Sequence, residues 1–257
     1  MIPKIIHYCW LSNDPIPEEL SRYMNTWKKK LPDYEFMLWD FNRFDKNNSQ
    51  WVKEAFEHKK YAFAADYIRL YALYHYGGIY LDMDVEVLKT FTPFLSLRTM
   101  IGFENGNHGL EMATLGTEIQ TPWIKTCLQY YEGRSFIKKD GTLDTTTLPY
   151  IILNTCKENG YHLTLVNNIE EAQKCQSNDT IPVFASDFFS PKLSFKSDKI
   201  NITANTVSIH HFAGTWLPWY SRMEKKICNL LGVESRDYIR RSIYKLQIEC
   251  NKLSNKK

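Results

Sequence analysis

Strand-like and helix-like spacings of apolar residues alternate along the first half of the chain. Lys4–Trp10 (KIIHYCW) is a short apolar run that predicts a strand. Ile16 to Lys30 predicts a helix closed by Leu31-Pro32-Asp33, and Tyr34–Trp39 (YEFMLW) a second strand. After the polar stretch DFNRFDKNNSQ come a short helix through Trp51–His58 and a strong one over Lys60–Tyr76. The latter carries Ala62, Ala64, Ala65, Leu70, Ala72 and Leu73 and stops at Gly77-Gly78, as a helix C-terminus should. The next strand is GGIYLDMDV, and VEVLKTF, TMIGFEN and LEMATLGT predict further short strands. Helices follow over Pro122–Tyr131 and Thr146–Asn159, then strands around Tyr161–Val166, Ile181–Ala185 and Thr206–His211, with Trp219 to Lys252 mostly helical. The class is α/β with a mixed sheet, without internal repeats or low-complexity linkers.

GGIYLDMDV ends in two carboxylates one residue apart. In strict alternation Ile79, Leu81, Met83 and Val85 face one way and Tyr80, Asp82, Asp84 and Glu86 the other, the pattern of a half-buried strand with no further role. Their position points elsewhere. Ligands of open α/β sheets bind at the carboxyl ends of strands, where this pair stands. Two hard oxygen ligands so spaced suit Mg²⁺ or Mn²⁺ together with a substrate diphosphate. In the helix just before, Asp66 and Arg69 are three apart and share a face. Far downstream, SIHHFAGTWLPW (Ser208–Trp219) offers His210 and His211, of which a strand turns at most one toward a site. The Ala213-Gly214-Thr215 turn brings a backbone N–H and a hydroxyl within reach of phosphate.

Composition narrows the partners. At 257 residues the chain suits one core with a decorated end. Its 14% aromatic content suits stacking on planar or ring-shaped ligands as well as an aromatic core. The net charge is +3, yet Arg222 to Lys257 holds ten Lys/Arg against four Asp/Glu, a net of +6, so the preceding residues carry −3. With the basic excess confined to the tail and no groove-reading helix, nucleic acid is not an expected partner. The 6 cysteines are scattered without a C-x-x-C pair, against a zinc cluster or a disulfide scaffold. The N-terminus does not read as a signal peptide and no 18-residue apolar run occurs, so a reduced, cytoplasmic location is expected. Ile239, Ile243, Leu246 and Cys250 recur at helical spacing beside Arg240, Arg241 and Lys245. Such a helix either packs on its own domain or rests on anionic lipid at the inner face of the cell membrane.

AADYIRLYALYHYGGIYLDMDV resembles the signature of the DXD-containing sugar transferases of glycosyltransferase family 32. PKIIHYCWLS resembles that family's first strand and HHFAGTW its closing motif, so the resemblance spans about residues 2–219 in three ordered blocks. It implies a GT-A-type nucleotide-sugar-binding sandwich over residues 1–219, with 220–257 a basic helical extension of the same domain. It also implies Mn²⁺ or Mg²⁺ and a nucleotide-diphosphate sugar donor. By position, Asp82 contacts the donor ribose or sugar and holds the metal through water, while Asp84 ligates the metal directly. Asp66 and Arg69 match contacts to the donor sugar and ribose–phosphate, and Trp10 the aromatic residue that stacks on the base. Thr215 and Trp216 match the pair near the β-phosphate, and His211 is the expected additional metal ligand, with His210 as the fallback. Asp82, Asp84 and Arg69 form the expected catalytic set. His211-Phe-Ala-Gly214 also resembles the H-x-x-G of related retaining transferases, but Leu217 stands where those relatives have a diphosphate-binding lysine. Glu104 and Asn105 are either sugar or acceptor contacts or an ordinary polar strand end.

The implied activity is retaining transfer of a hexose, from a UDP-sugar first and GDP-mannose second, to a glycan acceptor in capsular or other surface polysaccharide synthesis. The acceptor is lipid-linked if the basic tail rests on a membrane. Two alternatives are weighed against it. LDMDV also fits the first motif of haloacid-dehalogenase-type phosphatases, but the second acidic motif they need is missing after Asp84. A catalytically silent nucleotide-sugar or glycan-binding module would keep the same residues and differ only in turnover.

Overall fold

The computed structural model describes residues 1–104, 106–192 and 199–214. The expected C-terminal helix, the 1–219/220–257 division, Thr215, Trp216 and Asn105 therefore lie wholly or partly outside the described residues. Nine strands and six α-helices are described. In chain order they are β1 (Ile5–Cys9), α1 (Glu18–Lys30), β2 (Glu35–Trp39), α2 (Gln50–Glu57), α3 (Tyr61–Tyr76), β3 (Gly78–Leu81), β4 (Val85–Val87), β5 (Thr99–Glu104), β6 (Gly109–Thr117), α4 (Pro122–Gln129), α5 (Leu148–Glu158), β7 (His162–Val166), α6 (Ile169–Cys175), β8 (Thr180–Phe184) and β9 (Ser208–His210).

Seven strands form one sheet in the order β2-β1-β3-β6-β5-β8-β7, and β4 pairs with β9 in a small second sheet. In the large sheet β1 is parallel to β2 and β3, and β8 is parallel to β5 and β7. Only β6 runs against its neighbours β3 and β5. The class expected from the sequence, α/β with a mixed sheet, is the one observed. Because β5 and β3 both oppose β6, the carboxyl ends of β1, β3 and β5 lie along one edge of the sheet.

Apolar side chains cover both faces. One cluster gathers Trp51, Ile68, Leu73, Tyr80, Leu115, Ile124 and Ile152 beneath α2 to α5. The other gathers Ile6, Trp27, Ile79, Leu81, Met100, Phe184 and Phe189 on the opposite side. Strand β3 is therefore buried on both faces, with Ile79 0% and Tyr80 1% exposed, and the half-buried alternation does not hold. The strand also stops at Leu81. Asp82 to Asp84 form a turn in which Asp82 O accepts from Val85 N at 3.0 Å, and β4 leaves toward the second sheet.

The junction between α3 and β3 needs its two glycines. Gly77 has φ 61°, and a Cβ there would stand 2.8 Å from Ile119 N and 2.9 Å from Pro3 Cδ. Gly78 has φ 97° and would place a Cβ 2.7 Å from the Ile5 carbonyl oxygen. One helix, α6, goes beyond the sequence reading. Its start is marked by Asn168, whose Oδ1 accepts from Glu171 N at 2.8 Å, while Glu171 reaches back to Asn167 N at 2.8 Å. That is a reciprocal capping arrangement written as N-x-x-E in the sequence.

Candidate active site

Two packing relations bring the end of β3 and the distant β9 together. Trp27 of α1 donates through Nε1 to Val85 O at 2.7 Å, and Val87 N donates to Thr26 Oγ1 at 2.9 Å, so α1 holds β4 in place. Strand β4 pairs antiparallel with β9 in the register Val85↔His210, Glu86↔Ile209 and Val87↔Ser208. The chain after β9 then folds over Asp84. His211 N donates to the Asp84 carbonyl oxygen at 3.1 Å, and Ala213 N to Asp84 Oδ2 at 2.7 Å.

This register decides which histidine faces the carboxylates. His210 Nε2 lies 3.6 Å from Asp84 Oδ2, and His210 Nδ1 lies 3.1 Å from Glu111 Oε2. Asp82, Asp84 and His210 each present one ligand atom, all within 4.8 Å of one another. The expectation for His211 is corrected. Its Nε2 is 2.9 Å from Glu86 Oε2 and its ring stacks on Tyr23 at 4.4 Å, because neighbouring residues of an extended chain point to opposite sides. His210, the fallback, is the histidine beside Asp84.

Arg69 ties the helix to the strand end. Its Nη2 lies 2.9 Å from Asp82 Oδ1 and 3.5 Å from Asp66 Oδ1, its Nη1 donates to Met112 O, and its guanidinium sits 4.4 Å from the Tyr80 ring centroid. Nε of Arg69 is buried without an acceptor among the described residues. Asp66, Arg69, Asp82 and Asp84 thus meet at the shared carboxyl edge. Trp10 follows the end of β1 at the same edge, with Nε1 donating to Asp14 O at 2.8 Å. Glu104 ends β5 there too.

The electrostatics are those of a crowded acidic site. Burial pushes the Asp66 carboxyl up to about 7, with Arg69 pulling it down and Asp82 pushing it further up. Burial also raises Asp82, against Arg69 and with Asp84. Burial opposes ionisation of Asp84 as well, but His210 and the Ala213 N–H outweigh it and hold that carboxyl at about 2. For His210, burial works against the charged ring, yet Glu111 and Asp84 raise it well above the ordinary imidazole range. Glu104 is pushed up to about 7 by burial and by the neighbouring Glu111. Four carboxyls, Asp66, Asp82, Asp84 and Glu111, thus face two cationic side chains, Arg69 and His210. Two carboxylates and His210, whose ring would give up its proton on ligation, form a donor set that fits a divalent cation.

Sequence reasoning passed over Glu111, which is 0% exposed and lies behind His210. The signal was a lone acidic residue inside the apolar strand LEMATLGT, since a fully buried glutamate needs a partner.

Comparison with known proteins matches part of the chain. Residues 17–104 match the family model described as "Glycosyltransferase sugar-binding region containing DXD motif". The chain is 35% identical over 107 residues to inositol phosphoceramide mannosyltransferase 1 of Schizosaccharomyces pombe, covering 39% of this chain and 33% of that protein. It is 35% identical over 115 residues to a mannosyl phosphorylinositol ceramide synthase of Saccharomyces cerevisiae, covering 41% of this chain and 30% of that protein. The matches thus span about a third of the length of these curated relatives. Among solved structures, the galactosyltransferase LgtC with donor and acceptor sugar analogues aligns with TM-score 0.45 at 14% identity, over 88% of this chain and 94% of that one. The matched stretch, residues 17–104, contains Asp66, Arg69, Asp82 and Asp84, and it is this part of the chain that is similar to glycosyltransferase sugar-binding regions containing a DXD motif.

Proposed function

We propose that the chain is a metal-dependent, retaining glycosyltransferase with a GT-A-type fold that moves a hexose from a nucleotide-diphosphate sugar to a glycan acceptor. The observation that carries this reading is the convergence of Asp82, Asp84 and His210 within 4.8 Å, beside the Arg69 clamp, at the carboxyl edge of the sheet.

Asp84 and His210 would hold Mn²⁺ or Mg²⁺, with Asp82 assisting through water. When bound, such an ion stabilises the negative charge that grows on a departing diphosphate. The protein's own groups do the rest. Arg69 fixes Asp82 and Asp66, so that both carboxyls meet the donor sugar and ribose in one orientation, which lowers the cost of positioning. Asp66, with its carboxyl near neutrality, can exchange hydrogen bonds with a sugar hydroxyl as donor or acceptor. Trp10 is the base-stacking residue in this reading, and Thr215 and Trp216 serve the β-phosphate.

The relatives' names, mannosyltransferase and mannosyl phosphorylinositol ceramide synthase, support a mannosyl donor, and GDP-mannose now ranks ahead of the UDP-hexoses. The same names support a lipid-linked acceptor. Capsular or other surface polysaccharide synthesis at the cytoplasmic face of the membrane is the proposed setting, with the basic C-terminal segment resting on anionic lipid. No helix among the described residues is long and apolar enough to cross a membrane.

The test is donor hydrolysis across GDP-mannose, UDP-glucose, UDP-galactose, ADP-glucose and CMP-sialic acid, each with Mn²⁺, with Mg²⁺ and with EDTA. Metal-dependent release of a nucleoside diphosphate from one donor establishes the activity and names the donor. Metal-dependent nucleotide binding without turnover, even with lipid-linked acceptors supplied, would make the chain a binding module. No binding of any nucleotide would overturn the reading.

A further inference from the structure

The acidic residue behind the histidine has no part in the reading above. Glu111 lies inside β6, opposite Gly102 of β5, and is 0% exposed. A buried carboxylate is costly unless its oxygens are matched. Here both are. Oε1 accepts from Ala113 N at 2.6 Å, within Glu111's own strand, and Oε2 lies 3.1 Å from His210 Nδ1. The bond to Ala113 fixes the carboxylate on its strand, so Oε2 is a stationary acceptor for one nitrogen of the ring. The opposite nitrogen, Nε2, is the one that faces Asp84 at 3.6 Å. Glu104 is the other carboxyl at this corner, with a ligand atom within 4.8 Å of those of Glu111 and His210.

We infer that Glu111 is a positioning residue for the metal site. By accepting Nδ1–H it fixes the tautomer and rotation of His210, so that Nε2 presents its lone pair to the cation held by Asp84. This rests on the metal-dependent reading proposed above. A histidine that ligates through one nitrogen and is anchored by a carboxylate at the other is better oriented and more basic, and losing such an outer partner costs about 10–100-fold in metal affinity. The placement has an alternative explanation, a general charge effect. Any buried carboxylate near the site attracts a cation, whether or not it orients the ring. The two differ in one respect: orientation acts only through His210, and charge acts without it.

The experiment measures Mn²⁺ affinity of the nucleotide-free protein from the free-ion EPR signal, with histidine-nitrogen coupling to bound Mn²⁺ read by pulsed EPR. Wild type is compared with Glu111→Gln, Glu111→Asp, His210→Gln and the Glu111→Gln/His210→Gln double variant, and thermal melts confirm folding. Glu111→Gln is expected to weaken binding about tenfold or more and to diminish the nitrogen coupling. Glu111→Asp keeps the charge but is too short to hold both Ala113 N–H and the ring, so it should weaken binding as well. In the His210→Gln background, Glu111→Gln should add nothing further. Wild-type affinity in both Glu111 variants would overturn the inference. So would full additivity in the double variant, or an Asp variant that binds like wild type, because each assigns Glu111 a charge effect alone. If the wild-type protein binds no Mn²⁺, or binds it equally after Asp84→Ala, the metal reading itself falls and this role falls with it. An unfolded Glu111→Gln leaves Glu111→Asp to decide.

Discussion

Arg69 Nη2 lies 2.9 Å from Asp82 Oδ1, so one guanidinium links the middle of α3 to the first residue after β3. The same group reaches Asp66 at 3.5 Å and the Met112 carbonyl on β6. Three elements of the site therefore share one cation, itself 5% exposed. Arg69→Met would leave two partly buried carboxyls, 17% and 31% exposed, without their cation and should destabilise the fold, by less than the about 3–5 kcal/mol of a fully buried pair. Arg69→Lys should fall between, because a point charge cannot reproduce the planar fork that meets Asp82 and Met112 together. Urea unfolding at pH 7 measures both, and a Met variant with the wild-type midpoint would mean that the clamp stabilises nothing.

Asp84 gives a pH prediction with a definite sign. Its carboxyl sits at about 2 in the fold against an ordinary 3.8, so folding favours the ionised form. The stability it contributes is complete above about pH 4 and is lost as pH falls toward 2. Asp84→Asn keeps an oxygen for Ala213 N–H but cannot titrate. In EDTA-treated protein, the stability difference between wild type and Asp84→Asn should therefore hold above about pH 4 and shrink as pH falls from there to 2. A difference independent of pH across that range would mean that Asp84 is not ionised against His210 in the fold.

The two adjacent histidines separate cleanly. His210 faces Asp84, whereas His211 is occupied by Glu86 at 2.9 Å and stacked on Tyr23. Mn²⁺ affinity measured by calorimetry should fall by more than about tenfold in His210→Gln, beyond what an outer partner's loss commonly costs. In His211→Gln it should stay at the wild-type value. The reverse order would return the ligand role to His211 and require β9 to turn over in the loaded protein.

Much of this arrangement was legible in the sequence, for identifiable reasons. The α3–Gly-Gly–β3 unit is local: helix spacing, a glycine stop and an apolar run specify it within residues 60–81. Asp66, Arg69, Asp82 and Asp84 inherit their common location from that unit and from the rule that sites form at strand carboxyl ends. What was not legible depends on pairing between distant segments. Which histidine faces Asp84 is set by the β4–β9 register, and a shift of one residue would exchange them. The burial of β3 on both faces follows from the two apolar clusters that meet it from either side of the sheet, one of them packed against α3, which alternation within GGIYLDMDV cannot reveal. Glu111 escaped notice because its partner lies 99 residues away. The α6 helix, in contrast, announced itself locally through Asn168 and Glu171, and its capping signal was available.

His7 supplies the last prediction, away from the chemistry but at the root of the same strand. It is 0% exposed in β1, its Nε2 lies 2.7 Å from Gly77 O, and its Nδ1 is 3.0 Å from Trp39 Nε1. Trp39 Nε1 can only donate and Gly77 O can only accept, so the ring is neutral with its proton on Nε2. Burial carries its titration down to about 4, with the Gly77 hydrogen bond opposing and Arg43 assisting. The fold therefore binds fewer protons here than the unfolded chain between pH 6.5 and 4. The stability His7 contributes is complete above about 6.5 and is lost as pH falls through that window. Asp66 and Glu104, raised to about 7, act with the opposite sign over much of the same range, so the absolute curve is not diagnostic. The difference between wild type and His7→Phe is diagnostic. At pH 7.5 His7→Phe should cost about 2–4 kcal/mol, because the Trp39 N–H and the Gly77 carbonyl lose their partner. That cost should narrow as pH drops to 4, where the wild-type ring must take up a proton it cannot accommodate. A constant cost from pH 7.5 to 4 would mean that His7 does not titrate across unfolding, and the neutral, doubly bonded ring would have to be abandoned.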